Sequence, residues 1–337
     1  MSGGSFQPRS ERELADTFRG CSAQGRRVRL SGGGVVARVP GAETLGVWMF
    51  GLSGFVDIRA ADLVATAKAG TSLAEIATDL RERGRRFPLR PHDAGERATV
   101  GGVFAAGADG LASRLGFRAR DVLLGARAVL STGEIVFVGA TVVKSVAGFD
   151  VCKALTGSRG CLAALTEVTF RVEAIPEAIV TWRGEFAGRG PAHGAVAAAD
   201  ALPLVPAAIV VSGTGGPVRV DVLLEGPRAA VAAAGARLAT AGLREASGEW
   251  EALTAFTAAE PPAGLVRTTG PALRAAPLDA LPLGTAAYVV DVARGCFTAH
   301  APQRAEPPRV PDALIERVRH AFDPAATFEP GRGIGAR

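Results

Sequence analysis

The sequence predicts an α+β protein with a glycine-rich first part and a second, smaller α+β part. Three glycine-rich turns lie in the first half of the chain, among segments with strand alternation or helical spacing. Near residue 173 the composition shifts toward Ala and Pro, and helix-like runs alternate with short strands. We expect a first domain over 1–172 with subdomains 1–95 and 96–172, a second domain over 173–318, and a tail over 319–337 that returns to the first.

Capping patterns and alternation place the elements of the first part. Ser10 with Glu13 forms a capping box that predicts a helix to about Ala23. Ser72 with Glu75 forms another, and the helix it opens is expected to stop at 83–84. A further helix starts in the glycine-rich segment after 98. Alternating apolar residues predict strands at 27–30, 54–59, 62–68, 121–130, 134–138 and 165–172.

The second part is expected to be an α+β cap with an antiparallel sheet. Two strand–helix–strand passages of this size favour that arrangement over a repeat. Helices are predicted at 227–241 and 311–322, and strands at 208–212, 218–224 and 286–292.

Composition excludes several classes of protein. The chain has 337 residues and a net charge of +5, but it contains no run of like charges, and its sparse aromatics (6%) offer no platform for bases. We therefore expect an anionic small molecule or an acidic partner surface, and no nucleic acid. The four cysteines form no C-x-x-C pattern, so neither a structural metal site nor an iron–sulfur cluster is expected. Without a signal sequence or an uninterrupted apolar span, we expect a cytoplasmic protein.

The first glycine turn, Ser31-Gly32-Gly33-Gly34, directly follows a predicted strand. Its consecutive unhindered N–H groups would form an anion nest suited to a pyrophosphate. The spacing fits neither G-x-G-x-x-G nor a Walker sequence, so Rossmann and P-loop sites are excluded. A plain flexible turn is the alternative.

The other two glycine turns suggest the same kind of ligand. Gly101 and Gly102 stand at a helix start, where exposed N–H groups and the helix dipole favour negative charge. Close packing of that helix on a sheet is the alternative. Gly157 and Gly160 mark a third close approach of bare backbone. Three such turns in half a chain suggest a large cofactor that carries phosphate.

Together these segments resemble the FAD-binding domain of the vanillyl-alcohol-oxidase/p-cresol-methylhydroxylase family. The resemblance rests on R-A-T-V-G-G at 97–102, R-D-V-L-L-G at 120–125, V-K-S-V-A-G-F-D at 143–150, G-S-R-G at 157–160 and the closing F-D-P-A-A-T-F-E-P-G at 322–331. It covers roughly 28–172 and the tail. More narrowly, the chain resembles the FAD-binding subunits of bacterial glycolate oxidases in its short length and in the motif at 143–150.

The resemblance implies a bound FAD. Since the loop at 31–36 contains no His or Cys, the FAD is expected to be non-covalent. The implied partners are a larger catalytic flavoprotein subunit and an iron–sulfur subunit, with a small 2-hydroxy acid as the substrate of the complex. Membrane association is implied only through these partners. The implied cofactor-binding residues are Ser31, Gly32, Gly33, Gly34, Val35, Thr99, Val100, Gly101, Gly102, Gly157, Ser158, Gly160 and Cys161.

The chain departs from the family pattern at polar positions. Val35 and Val36 stand where a hydroxyl and a polar residue are usual, and Glu329 replaces an Asn and is expected to bring a carboxylate near the flavin. His92 and Asp93 are candidates to flank the flavin, or they belong to a surface loop.

The second part contains no paired-His signature, so catalytic residues stay unassigned and no metal ligands are predicted. Its isolated candidates are His193, His300, His320, Tyr288, Arg267, Arg274 and Arg294.

Three functions remain open. The first is an FAD-carrying subunit that assists electron transfer or the stability of a glycolate-oxidising complex. The second is a non-enzymatic scaffold in that complex, with the same fold and a lost FAD site. The third is a stand-alone FAD oxidoreductase that acts on another small substrate.

Overall fold

The computed structural model describes residues 4–33, 44–91, 97–110, 115–140, 150–246, 261–271, 278, 281, 285–292, 296–302 and 312–329. The chain divides into two compact units. Unit 1 comprises Met1–Asp109, Phe117–Ile175 and Val310–Arg337, and unit 2 comprises Gly110–Gly116 and Pro176–Arg309.

Unit 1 begins with a small parallel sheet covered by a helix. The sheet has the order β1-β3-β2 and is formed by β1 (Ser5–Phe6), β2 (Arg27–Ser31) and β3 (Thr44–Trp48). The helix is α1 (Glu11–Ala23), whose fully buried Leu14 and Phe18 belong to one core cluster with Val28 and Val47. Phe328 joins this cluster, because the chain after the last helix forms a parallel bridge to Val28. The C-terminal segment therefore completes the sheet that β2 belongs to.

A five-stranded antiparallel sheet forms the rest of unit 1. Its order is β4-β5-β9-β7-β8, and Phe87, Phe104 and Phe170 pack edge-on or tilted in its core. The strands are β4 (Phe55–Arg59), β5 (Val64–Lys68), β7 (Leu123–Val129), β8 (Ile135–Gly139) and β9 (Ala164–Arg171), with the separate pair β6 (Arg85–Arg86) and β10 (Glu173–Ala174). The helices are α2 (Leu73–Arg81), α3 (Val100–Ala106), α4 (Ala119–Val122), α5 (Val151–Leu155) and α8 (Asp312–Phe322).

In its described residues, unit 2 is a seven-stranded antiparallel sheet with two helices on one face. The strand order is β14-β11-β13-β12-β16-β17-β15. The strands are β11 (Ala178–Phe186), β12 (Ala208–Gly213), β13 (Val218–Gly226), β14 (Arg244–Ala246), β15 (Val266–Pro271), β16 (Ala287–Asp291) and β17 (Cys296–Ala301). The helices α6 (Arg189–Asp200) and α7 (Arg228–Thr240) bury a stripe of Ala, Val and Leu against that face.

The α+β class and the antiparallel sheet of the second part are confirmed, and the details differ in identifiable ways. The Ser72–Glu75 capping box forms completely. At α1 the Ser10 side chain accepts from the Glu13 N–H, but the Glu13 carboxylate accepts from the Arg9 N–H rather than from Ser10. The strand predicted from 121 starts at Leu123, because 119–122 form the helical turn α4. The elements that the sequence did not predict include Thr44–Trp48, Ala178–Phe186, Arg189–Asp200 and Cys296–Ala301.

Over the described ranges, no helix is long and apolar enough to cross a membrane. The same part of the chain contains no cluster of three His, Cys, Asp or Glu side chains that could hold a metal ion. Cys21, Cys152 and Cys161 are buried free thiols. Burial, with the nearby Asp150 carboxylate, raises the pKa of Cys152 to about 11, so this thiol stays protonated at neutral pH.

An ion pair ties α1 to the five-stranded sheet and makes the stability of unit 1 depend on pH. Arg127 donates to the Glu11 carboxylate through Nε (3.0 Å) and Nη2 (2.5 Å), and the Thr166 hydroxyl also donates to it. The Arg127 hydrogen bond lowers the pKa of Glu11 below its ordinary value of 4.5. Because the pKa of Glu11 is lower in the folded than in the unfolded state, its ionised carboxylate stabilises the fold above about pH 4.5. This stabilisation is lost as the pH falls through the folded-state pKa.

We therefore expect Glu11→Gln to lower the stability of unit 1 at pH 7 by about 1–2 kcal/mol, since hydrogen bonds to charged groups contribute about 1.5–3 kcal/mol and partial exposure screens them. The difference in the free energy of unfolding between the variant and the wild type should become smaller as the pH falls below about 4.5. Urea unfolding at a series of pH values measures this. Glu82→Gln, which changes a carboxylate that is 70% exposed, is the control and should have almost no effect. A difference in unfolding free energy that does not change with pH would contradict the lowered pKa of Glu11 in its pair with Arg127.

Candidate functional site

The first glycine turn leaves β2 and runs against the backbone at Arg97. A Cβ added to Gly33 would lie 1.3 Å from the Arg97 carbonyl oxygen, and one added to Gly32 would lie 2.4 Å from Thr99 Oγ1. Only glycine allows these two approaches without moving the backbone or the Thr99 side chain. In the part of the chain that the structure describes, the N–H groups of Gly32 and Gly33 donate to no other group. Within the described residues, these two N–H groups are therefore candidate donors to a ligand.

The start of α3 packs on the end of β5, which accounts for one of its glycines. A Cβ on Gly101 would lie 2.5 Å from the Ala69 Cβ and 2.7 Å from the Ala69 carbonyl oxygen. The Val100 N–H donates to Thr71 O (2.9 Å), the Gly101 N–H to Ala69 O (2.8 Å) and the Gly102 N–H to Thr99 Oγ1 (3.2 Å).

The expectation of exposed N–H groups at this helix start is therefore wrong for its first three residues. The physical reason is that the chain just after β5 lies beside the helix start and supplies two of the acceptors. This segment offers a bare backbone surface at Gly102, where an added Cβ would meet only Thr99 Oγ1, at 3.0 Å.

The third glycine turn joins the end of α3. The Gly157 N–H donates to Phe104 O (3.0 Å) and the Arg159 N–H to Ala105 O (2.7 Å). Gly157, Arg159 and Gly160 all have left-handed backbones, with φ of +80°, +54° and +77°. For Arg159 this conformation is strained, and such strain concentrates at binding sites.

The structure thus brings the three glycine turns of the sequence together. We call segments 31–33, 97–102 and 157–161 the glycine junction. A Cβ on Gly160 would lie 3.1 Å from the Leu30 side chain, which closes the junction back to β2. Ser31 Oγ is buried there without a hydrogen-bond partner among the described residues. Gly34, Val35, Val36, His92 and Asp93 lie outside the described residues.

The sequence suggested that Glu329 brings a carboxylate near the flavin. In the structure this carboxylate is not isolated. Its carboxylate pairs with the Arg29 guanidinium and accepts from the Thr44 hydroxyl, and its side chain is only 15% exposed. The Glu329 N–H donates to Val28 O (2.9 Å), which fixes the segment on β2. The negative charge is therefore compensated within the protein, and the expected electrostatic cost to a bound phosphate is reduced.

The described candidates that the sequence suggested for the second part lie on different elements. Tyr288 lies in the apolar core on the helix-covered face of the sheet, and burial raises its pKa. His193 lies on α6 and His320 is exposed on α8, whereas His300 is buried on β17. The side chains of Arg267, Arg274 and Arg294 lie outside the described residues. Sequence reasoning missed the pair of partly buried arginines Arg183 on β11 and Arg219 on β13, which share the buried Asp221, because only the strand register brings them together.

The first part of the chain is similar to a known family of domains. Residues 4–139 match the family described as FAD binding domain. The matched range is less than half of the chain, and over it the chain is similar to FAD-binding domains, as its sequence predicts. The matched range contains the first two glycine turns, while the third lies C-terminal to it.

Curated relatives agree with this class. The chain is 37% identical over 132 residues to glycolate oxidase subunit GlcE of Escherichia coli (strain K12), over 39% of this chain and 38% of that protein. It is 34% identical over 117 residues to D-lactate dehydrogenase of Archaeoglobus fulgidus, over 35% of this chain and 26% of the relative. The matched segments thus span about two fifths or less of these relatives' own lengths.

A solved structure extends the likeness of fold to nearly the whole chain. Alkyldihydroxyacetonephosphate synthase superposes with a TM-score of 0.71, over 95% of this chain and 74% of that chain, at 16% sequence identity. At this identity the likeness establishes the fold, and it covers both units.

Proposed function

We propose that this chain is a non-covalent FAD-binding subunit of a multi-subunit enzyme that oxidises a small 2-hydroxy acid, glycolate in the first instance. Its role is to assist electron transfer or the stability of the complex. Support comes from the FAD binding domain at 4–139 and from the names of two relatives, a glycolate oxidase subunit and a D-lactate dehydrogenase.

The observation that carries this proposal is the glycine junction. Among the described residues the N–H groups of Gly32 and Gly33 have no acceptor and the buried Ser31 Oγ has no partner, and Gly102 leaves backbone uncovered. Donors of this kind on bare backbone suit a pyrophosphate. We assign the FAD pyrophosphate to segment 31–34, with Val35 beside it. The second segment would contact the phosphates and the edge of the flavin ring through Thr99, Val100, Gly101 and Gly102. The third would contact the ribityl and adenine side through Gly157, Ser158, Gly160 and Cys161. FAD, when bound, would supply a redox centre that accepts electrons and passes them on within the complex.

Two features support a non-covalent cofactor. The sequence at 31–36 contains neither a His nor a Cys. The one thiol at the junction, Cys161, is fully buried, and its Sγ lies 2.7 Å from Ser158 O as a hydrogen-bond donor. A thiol enclosed in this way is not presented for attachment to a flavin.

The partners belong to the same proposal. We infer a larger catalytic flavoprotein subunit and an iron–sulfur subunit, and a cytoplasmic complex that reaches a membrane only through its partners. The word subunit in the name of the Escherichia coli relative supports a multi-subunit assembly.

A visible absorption spectrum of the purified chain, repeated after denaturation, tests the proposal. We expect near-stoichiometric FAD that is released completely by denaturation. Flavin that stays with the denatured chain would contradict non-covalent binding. A colourless chain that takes up no added FAD would contradict the proposal as a whole.

One observation favours a second candidate, a scaffold subunit that has lost its flavin. The first three N–H groups of α3 donate within the protein, which leaves fewer backbone donors for phosphate. Val35 and Val36 replace polar residues in the adjoining turn. Under this reading the fold stabilises the complex through protein contacts alone, and the spectrum would show no flavin.

A further inference from the structure

Strand β8 forms one edge of the five-stranded sheet in unit 1. Its Val136 and Val138 side chains pack against the core of that sheet. The intervening side chains point to the other face, where Ile135 is 41% exposed and Phe137 is 52% exposed. Two large apolar side chains are therefore exposed to water next to each other at an edge of the sheet.

The backbone of β8 is also open along this edge. The Ala140 N–H donates to Leu124 O of β7 (2.9 Å). Because alternate residues of an antiparallel strand bond to the same neighbour, the even-numbered residues of β8 bond to β7, whereas Ile135 and Phe137 direct their N–H and C=O groups away from it. No described residue hydrogen-bonds to these outward groups. They can therefore pair with a further strand.

The opposite edge of the same sheet is protected against such pairing. Strand β4 carries Asp57 and Arg59, which form an ion pair (3.1 Å), and its register with β5 shifts between Phe55 and Asp57. Charges and bulges on an edge strand prevent strands of other chains from adding to a sheet. Strand β8 contains no charged residue and no proline, and its register with β7 is continuous. It lacks the protection that β4 has.

The sequence of β8 is complementary to itself. A two-fold interface requires that a strand fits a second copy of itself in antiparallel orientation. With Val136 opposite Val136 of the second copy, Ile135 stands opposite Phe137 of that copy, and these two residues exchange both of their outward hydrogen bonds. A β-branched and an aromatic residue form a stabilising cross-strand pair, and the symmetry forms this pair twice. Glu134 stands opposite Val138, so no like charges oppose each other.

We infer that β8 pairs with β8 of a second copy of this chain, antiparallel and with Val136 at the two-fold axis, so that two sheets become one. A second copy is favoured over a strand of another protein, because β8 itself supplies the apolar partners and the uncharged match that the open edge needs. Pairing along five residues forms a small interface, so we expect a reversible dimer with a dissociation constant in the micromolar range. The inference concerns unit 1 alone and does not rest on flavin binding.

Sedimentation velocity of the full chain over a range of micromolar concentrations tests this pairing. Ile135→Glu and Phe137→Lys should each raise the dimer dissociation constant at least about 10-fold, since each removes both symmetric apolar pairs. The two substitutions in one chain should restore the dimer, because the new carboxylate would then face the new ammonium group of the second copy. Val56→Lys is the control: this side chain on β4 is also 52% exposed, and its replacement should leave the dimer unchanged.

A wild-type chain that stays monomeric throughout this range would overturn the inference, even if β8 then paired with a strand of another protein. So would single variants that dimerise like the wild type, an equal loss in Val56→Lys, or a double variant that stays monomeric. If the single variants do not fold, Val136→Cys replaces them. In the inferred register its two thiols face each other across a non-hydrogen-bonded pair with Cα atoms about 4.5 Å apart, which permits a disulfide. Mild oxidation should then give a covalent dimer in denaturing electrophoresis, and the absence of that dimer would overturn the inference.

Discussion

Replacing Gly33 by alanine is expected to abolish flavin retention and to destabilise the junction that would hold the flavin. The new Cβ would lie 1.3 Å from the Arg97 carbonyl oxygen, a backbone atom with no freedom to rotate away. Either segment 31–33 or segment 97–102 must move, and if segment 31–33 moves, the Gly32 and Gly33 N–H groups move with it. Overpacking of this kind costs about 1–3 kcal/mol. Displaced pyrophosphate donors should lower FAD affinity by at least about 10-fold.

Flavin content of the folded, monodisperse fraction measures this effect. Gly20→Ala in α1 is the matched control, since its Cβ would meet nothing within 4 Å. It should retain full flavin and gain about 0.5–1 kcal/mol of stability. Gly101→Ala separates packing from binding, because its Cβ would clash with Ala69. It should lower the thermal midpoint of the flavin-free chain as well. Wild-type flavin content in Gly33→Ala would remove the assignment of 31–34.

Much of the fold could be predicted because several elements carry local signals. The capping box that marks the start of helix Leu73–Arg81 involves only the four consecutive residues from Ser72 to Glu75, so it can be read from the sequence. The strand Thr44–Trp48 is different, since its first four residues are buried and it shows no alternation from which to identify it. Helix Arg189–Asp200 contains two glycines and a proline, which local propensity disfavours. It forms because Ala192, Ala195, Val196 and Ala199 are buried against the sheet, and that contact is not local.

The site could be predicted in its parts but not in its hydrogen bonds. Glycine turns at 31–34, 101–102 and 157–160 are visible in the sequence, and the structure brings together their described residues. That Ala69 and Thr71 accept from the first N–H groups of α3 depends on where β5 ends. The pairing of Glu329 with Arg29 likewise joins residues 300 positions apart. Neither contact leaves a pattern in a single sequence.

Replacing Asp221 by asparagine is expected to cause one of the largest losses of stability of any single substitution in unit 2. The carboxylate is 3% exposed and is the acceptor for both Arg183 and Arg219. Asparagine keeps the shape but presents an N–H₂ group to one of the two guanidiniums, where a donor would face a donor. Removing one member of a buried ion pair costs about 3–5 kcal/mol, because it leaves uncompensated charge. Because the two arginines are partly exposed, we expect a loss of stability near the lower end of this range.

Urea unfolding followed by tryptophan fluorescence measures the loss, since Trp182 on β11 adjoins Arg183. The control is Asp16→Asn in the exposed Arg19–Asp16 pair, where about 0–1 kcal/mol is expected. A loss in Asp221→Asn no larger than the loss in Asp16→Asn would contradict the importance of this buried carboxylate for the two arginines.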